Sequence, residues 1–111
     1  GGGSMMEVKA VIRPNKLAAL RTALLDTPDF PGMTVSKVEG CSAPSKSGKA
    51  TIKDELTDYS AKVRIEIVCN AEIAPALMDK IVSVCQTGQM GDGVVWCTPV
   101  PKAFFIAKSS T

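Results

Sequence analysis

Histidine is absent from the 111 residues of this chain. Its absence removes the commonest general base at neutral pH and the imidazole ligand of most zinc sites. A zinc site would need an all-thiolate set, yet Cys41, Cys69, Cys85 and Cys97 form no C-x-x-C pair and are widely spread. We therefore expect no metal and no catalytic residue, and read the chain as something other than an enzyme. Aromatic residues are scarce, at 5%, which leaves no stacking platform for RNA bases. Neither sign of charge is in excess: 13 Lys and Arg against 11 Asp and Glu give net +2, so nothing favours nucleic acid or an anionic membrane. No apolar run reaches about 18 residues and no leader pattern opens the chain, so a protein outside the membrane, in a reducing cytoplasm, is expected.

What remains is an ordinary globular composition, 45% apolar and 22% charged, enough for one domain with one modest core. Gly1 to Ser4 reads as a cloning leftover ahead of a start at Met5 or Met6. Residues 1–5 are set aside on that ground, and residues 6–111 are taken as a single domain.

Val8 to Pro14 alternates and is rich in branched residues, so it reads as a strand. Asn15 is a reasonable N-cap for a helix over Lys16 to Leu25, whose Leu17, Leu20 and Leu24 give one buried stripe. Asp26 to Gly32 (DTPDFPG) ends that helix, and Met33 to Glu39 alternates again. Lys62 to Asn70 (KVRIEIVCN) is the clearest strand. Val63, Ile65, Ile67 and Cys69 share one face, while Lys62, Arg64, Glu66 and Val68 share the other. Pro75 suits the first turn of a second helix through Leu77, Met78, Ile81, Val82 and Cys85, with Gly88 at its C-terminus. A glycine turn, QMGDG, leads to a last strand from Val94 to about Val100. Strand-helix-strand twice over predicts an α+β, ferredoxin-like βαββαβ sandwich with both helices on one sheet face. The other face, carrying Val11 and Val68, is left for other subunits to cover. Cys69, Cys85 and Cys97 fall inside apolar patterns and read as small buried hydrophobes, whereas Cys41 is more accessible and could be redox-active.

Between the two halves lies Gly40 to Ser60 (GCSAPSKSGKATIKDELTDYS), 21 residues with little apolar periodicity. A loop longer than about 15 residues in a compact domain usually carries function or disorder. Its SKSGK segment, Ser45 to Lys49, lacks the preceding strand and following helix of a phosphate loop. Ser45, Ser47 and Thr51 offer hydroxyls for phosphorylation, as any polar loop does.

GMTVSKVEG (Gly32 to Gly40), KVRIEIV (Lys62 to Val68) and TGQMGDG (Thr87 to Gly93) resemble the signature segments of PII signal-transduction proteins. VKAVIRPNKLAALRTAL resembles that family's first strand and helix, and the likeness spans nearly all of residues 6 to 101. The resemblance implies a homotrimer with inward-facing sheets and an adenine-nucleotide site in each inter-subunit cleft. It implies a T-loop, about residues 41–60, that docks on a membrane transporter or metabolic enzyme. It implies regulation without catalysis.

The nucleotide-binding positions that carry over are Thr34, Gly40, Lys62, Val68, Gly91, Asp92 and Gly93. Glycines allow backbone N–H groups close to phosphate oxygens, although Asp92 would serve equally as a turn residue bonding its own backbone. At the foot of the T-loop, Cys41, Ser42, Lys62 and Glu66 match effector positions, the glutamate tethering the lysine; a solvated charged face is the plainer alternative. The departures are specific. The family's G-x-G-R-Q-K opening is here Gly40-Cys41-Ser42-Ala43-Pro44-Ser45, without the arginine that meets phosphate or the glutamine that serves magnesium and 2-oxoglutarate. A lysine after GDG is Val94, two arginines of the C-terminal strand are Phe105 and Ala107, and the modified tyrosine at the loop tip is missing, Tyr59 lying at the base. Each lost cation removes a charge-assisted bond to phosphate, leaving Lys62, Arg13, Lys102 and whatever the loop supplies.

AMP or ADP is therefore expected over ATP, with bicarbonate as a companion ligand, as in the carboxysome-linked and bicarbonate-linked branch that this sequence resembles. The alternatives are a nitrogen regulator answering ATP/ADP and 2-oxoglutarate, or a regulator of a metal transporter. A nucleotide-free ferredoxin-like binding module and an acylphosphatase-type enzyme are weaker: the first lacks paired ligands and the second any nucleophile with an adjacent base.

Overall fold

A computed structural model describes residues 4–41 and 59–108. The chain runs β1 (Met5–Ile12), a 3-10 turn (Pro14–Lys16), α1 (Leu17–Leu25), β2 (Thr34–Cys41), β3 (Tyr59–Asn70), α2 (Ala74–Cys85), β4 (Gly93–Val100) and a 3-10 turn (Ile106–Lys108). The four strands form one sheet in the order β2-β3-β1-β4, every neighbouring pair antiparallel. This is the ferredoxin-like arrangement that the element order predicts.

The period-two pattern decides which face is buried. Val8, Ala10 and Ile12 of β1 and Val63, Ile65, Ile67 and Cys69 of β3 meet Leu20 and Leu24 of α1 and Leu77, Ile81 and Cys85 of α2 in a single core. Burying a leucine or isoleucine this completely is worth about 1.5–3 kcal/mol. The opposite face carries Glu7, Lys9 and Val11 on β1, in register with Val68, Glu66 and Arg64 on β3 and with Thr98, Trp96 and Val94 on β4. No described element covers it. Within that face Arg64 Nε is shut off from water and has no hydrogen-bond partner among the described residues.

Several boundaries differ from the sequence expectation, each for a local reason. β1 opens at Met5, inside the stretch set aside as a cloning leftover, because Met5 pairs with both Asn70 and Val100. Asn15 caps nothing: Pro14, with its fixed φ, opens a 3-10 turn whose cap is Arg13, and α1 follows from Lys16 without a side-chain cap. The buried stripe of α1 is Leu20 and Leu24, with Leu17 only half-buried. On α2, Val82 is 46% exposed, while Ala74, ahead of Pro75, is buried. The helix ends at Cys85 with Gln86 in extended conformation, so Gly88, at φ +83°, shapes the next turn instead of ending the helix. The T-loop also narrows. Gly40 pairs with Ser60 and Cys41 with Tyr59, so those residues form a two-stranded ribbon leaving the sheet. Ser42, the SKSGK segment and the rest of 42–58 lie outside the described residues.

Candidate functional site

The TGQMGDG segment folds around its own carboxylate. Asp92 Oδ2 accepts the N–H of Thr87 at 2.6 Å and that of Gly88 at 2.9 Å, while Oδ1 accepts the Thr87 hydroxyl. The Thr87 hydroxyl in turn accepts the N–H of Gln89 at 3.2 Å. From the far end of β1, Arg13 donates Nε to Asp92 Oδ1 at 3.1 Å and Nη2 to the Met90 carbonyl at 2.7 Å. These donors, above all the Thr87 hydroxyl and N–H and then Arg13 and Gly88, hold the Asp92 carboxyl well below the usual carboxylate range. Its negative charge is thus spent inside the turn.

Lys62 approaches the same turn from the start of β3. The residue is only 8% exposed, and its ammonium donates to the Gly91 carbonyl. It also lies against β2: a Cβ on Gly40 would stand 3.3 Å from Lys62 Cγ. Two glycines of the turn are fixed by geometry. Gly91, at φ +90°, would put a Cβ 3.3 Å from Arg13 Nη2 and 3.5 Å from Lys62 Nζ. Gly93, at φ +106°, would put one 1.8 Å from the Val11 carbonyl oxygen, so only glycine lets β4 begin beside β1. A small, half-open apolar cavity of about 110 Å³ adjoins Asp92 and Gly93, between Ile12, Val94 and Val95 on the sheet and Ile81 and Cys85 on α2.

The expected site residues therefore fall into two groups within one protomer. Gly40, Lys62, Gly91, Asp92 and Gly93 converge at one end of the sheet, with Cys41 next along the ribbon, opposite Tyr59. Thr34 stands opposite Glu66 in the β2–β3 ladder, and Val68 lies further along, opposite Glu7. At the rise of a strand, Val68 is about 20 Å and Glu66 about 13 Å from Lys62. Glu66 is too far to tether the Lys62 ammonium in the same chain, and the Gly91 carbonyl holds it instead. The two other described cations expected at the phosphate, Arg13 and Lys102, are committed too. Arg13 is bound to Asp92 and Met90, and the Lys102 ammonium lies 5.5 Å from the centre of the Phe104 ring. Phe105 and Ala107 are not on a strand, since β4 ends at Val100. Reading along the chain missed Thr87 and the bridging part of Arg13. Thr87 had a local signal, a hydroxyl five residues before Asp92. Arg13 had none, because 79 positions separate it from Asp92.

Of the thiols, Cys69 and Cys85 are buried, and burial pushes both pKa values up, with Cys97 adding to the effect on Cys69. Both stay neutral and unreactive. Cys41 is exposed at the ribbon.

The nitrogen regulatory protein P-II family model matches residues 5–109. The chain belongs to the P-II family. It is 34% identical over 110 residues to nitrogen regulatory protein GlnK2 of Haloferax mediterranei, aligning 98% of this chain and 89% of that protein. Nitrogen regulatory protein P-II of Synechocystis sp. is 36% identical over 97 residues, 86% of each chain. Nitrogen regulatory protein P-II 1 of Escherichia coli is 32% identical over 105 residues, 92% of this chain and 91% of that one. P-II membership makes this a regulatory signalling protein, of a family that regulates other proteins and is not enzymatic. No helix among the described residues of this P-II chain is long and apolar enough to cross a membrane.

Proposed function

We propose that this P-II protein is a homotrimeric, cytoplasmic sensor of adenine nucleotide. AMP or ADP is favoured over ATP, bicarbonate is a companion ligand, and the signal passes through the T-loop to a transporter or metabolic enzyme. The observation that carries the reading is Lys62: a nearly buried ammonium whose one hydrogen-bond partner among the described residues is a neutral carbonyl, facing a glycine turn. An ammonium has three donors, and a desolvated one is costly until an anion or further acceptors meet it. A monophosphate, with roughly two negative charges, suits such a site better than a triphosphate, because Arg13 is committed to Asp92 and Lys102 stacks on Phe104. Trimer assembly is what joins the two groups of site residues. A second copy laid on the open sheet face would bring Thr34, Glu66 and Val68 of one chain toward Gly40, Lys62 and Gly91 of another, and would offer acceptors to Arg64.

A second reading has its own support. The relatives named above are all nitrogen regulatory proteins, so a sensor of ATP/ADP and 2-oxoglutarate is the competing form of the same function. Calorimetric titration with AMP, ADP, ATP and cyclic AMP, each with and without bicarbonate, decides between them. Tight AMP or ADP binding with weak ATP supports the first; ATP binding strengthened by magnesium and 2-oxoglutarate supports the second. Failure of every nucleotide would end both. Gly91→Val, which strains φ and crowds Arg13 and Lys62, is expected to abolish binding.

A further inference from the structure

The turn from Gln86 to Asp92 treats its peptide groups unequally. Its first three N–H groups past the helix cap, those of Thr87, Gly88 and Gln89, are occupied by the Asp92 carboxylate and the Thr87 hydroxyl. The N–H groups of Gly91 and Asp92 have no partner among the described residues. Their direction follows from the carbonyls. A trans peptide unit holds its C=O and N–H antiparallel, and no peptide bond of the described chain is cis. The Met90 carbonyl points to Arg13 Nη2 and the Gly91 carbonyl to Lys62 Nζ. The N–H of Gly91 shares a plane with the first carbonyl and that of Asp92 with the second. Each therefore points away from the cation on its own peptide's carbonyl, Gly91 N–H from Arg13 and Asp92 N–H from Lys62, with Gly91 between them at positive φ. Adjacent amides presented in this way make a small anion-receiving concavity. A cation on the carbonyl end of an amide also polarises it, strengthening the N–H as a donor.

We propose that Arg13 is the positioning residue of this site: it does not touch the bound anion but fixes the two amides that do. Its planar guanidinium spans two acceptors at once, the Asp92 carboxylate and the Met90 carbonyl, which one ammonium cannot do in the same geometry. The inference rests on the reading that the turn receives a nucleotide phosphate; it assigns that phosphate to two amides and leaves the spare donors of Lys62 to the companion anion. The sequence suggested Arg13 as a neutraliser of phosphate charge. Here it stands on the carbonyl side of the turn.

The test compares Arg13→Ala, Arg13→Lys and Asp92→Asn in the full chain by two measurements. Amide exchange of residues 87–92 is followed without nucleotide, and affinities for AMP, ADP and ATP are measured by calorimetry. Arg13→Ala and Asp92→Asn are expected to speed exchange at Thr87 and Gly88 about tenfold and to weaken all three nucleotides by one common factor. That factor is about tenfold to a hundredfold, the range of one or two charge-assisted hydrogen bonds. Arg13→Lys should rescue only part of either effect. A residue touching phosphate would instead show a penalty rising from AMP to ATP, and that result overturns the proposal. So does unchanged exchange in Arg13→Ala. If the unaltered protein binds no adenine nucleotide, the phosphate reading fails, while the exchange data still decide whether Arg13 fixes the turn.

Discussion

Each half of this protein has a helix that must hand the chain back to the sheet, and the two do it by different physics. After α1 the connection Asp26–Met33 is tied by short-range bonds: Thr27 N–H to the Leu24 carbonyl at 3.0 Å, the Thr27 hydroxyl to the Ala23 carbonyl at 3.0 Å, and Phe30 N–H to the Thr27 carbonyl at 3.3 Å. Phe30 and Met33 then tuck against the core. After α2 the connection Gln86–Asp92 puts no apolar anchor in the core. A carboxylate gathers its donors, and Arg13, just past β1, and Lys62 of β3 grip two of the turn's carbonyls. The first connection is closed by local hydrogen bonds and burial, the second by charge.

The sharpest break comes from Gly93. Replacing it with valine drives a side chain into the Val11 carbonyl and detaches the start of β4, at a cost of about 4 kcal/mol or more in urea unfolding. Next is Phe30→Ala. Losing part of a half-buried ring should cost about 2 kcal/mol while leaving nucleotide affinity unchanged; a change in affinity would show that the first connection is not merely structural. Asp92 gives a pH test. Its folded pKa lies below the unfolded value of about 3.9, so its contribution is fully present above that value and is lost as pH falls through the lower, folded one. Protection of the Thr87 and Gly88 amides should therefore survive acidification to pH 4, and loss at pH 5 to 6 would show that the carboxylate is not the hub. Smallest is Asp29→Gly. Asp29 holds φ +63° in the first connection, and relieving that strain against the entropy of glycine should raise stability by about 0.5 kcal/mol.

The sequence made some of this legible. KVRIEIVCN alternates so cleanly that both faces of β3 could be assigned from it, and the observed core uses Val63, Ile65, Ile67 and Cys69 as expected. Turn chemistry was read less well. Asn15 looked like a cap, but a neighbouring proline took over the geometry. Gly88 looked like the end of a helix that stops three residues earlier. Long-range pairing was not readable at all. The Arg13–Asp92 bond and the Lys62 bond to Gly91 depend on β1 and β3 being neighbours that end beside one turn, and no local pattern records that. The same applies to the candidate site: its residues could be named one by one, but their separation into two groups appears only with the strand register.

Lys62 touches two things at once. Its stem lies against Gly40, in the ribbon that leads into the T-loop, and its ammonium holds the turn. A single side chain therefore belongs to two equilibria, one for the ribbon and one for the turn. Binding free energies that share a member are reciprocal. Whatever an anion bound at the turn would do to the hold of the ribbon on a target, that target would do, by the same factor, to the hold of the turn on the anion.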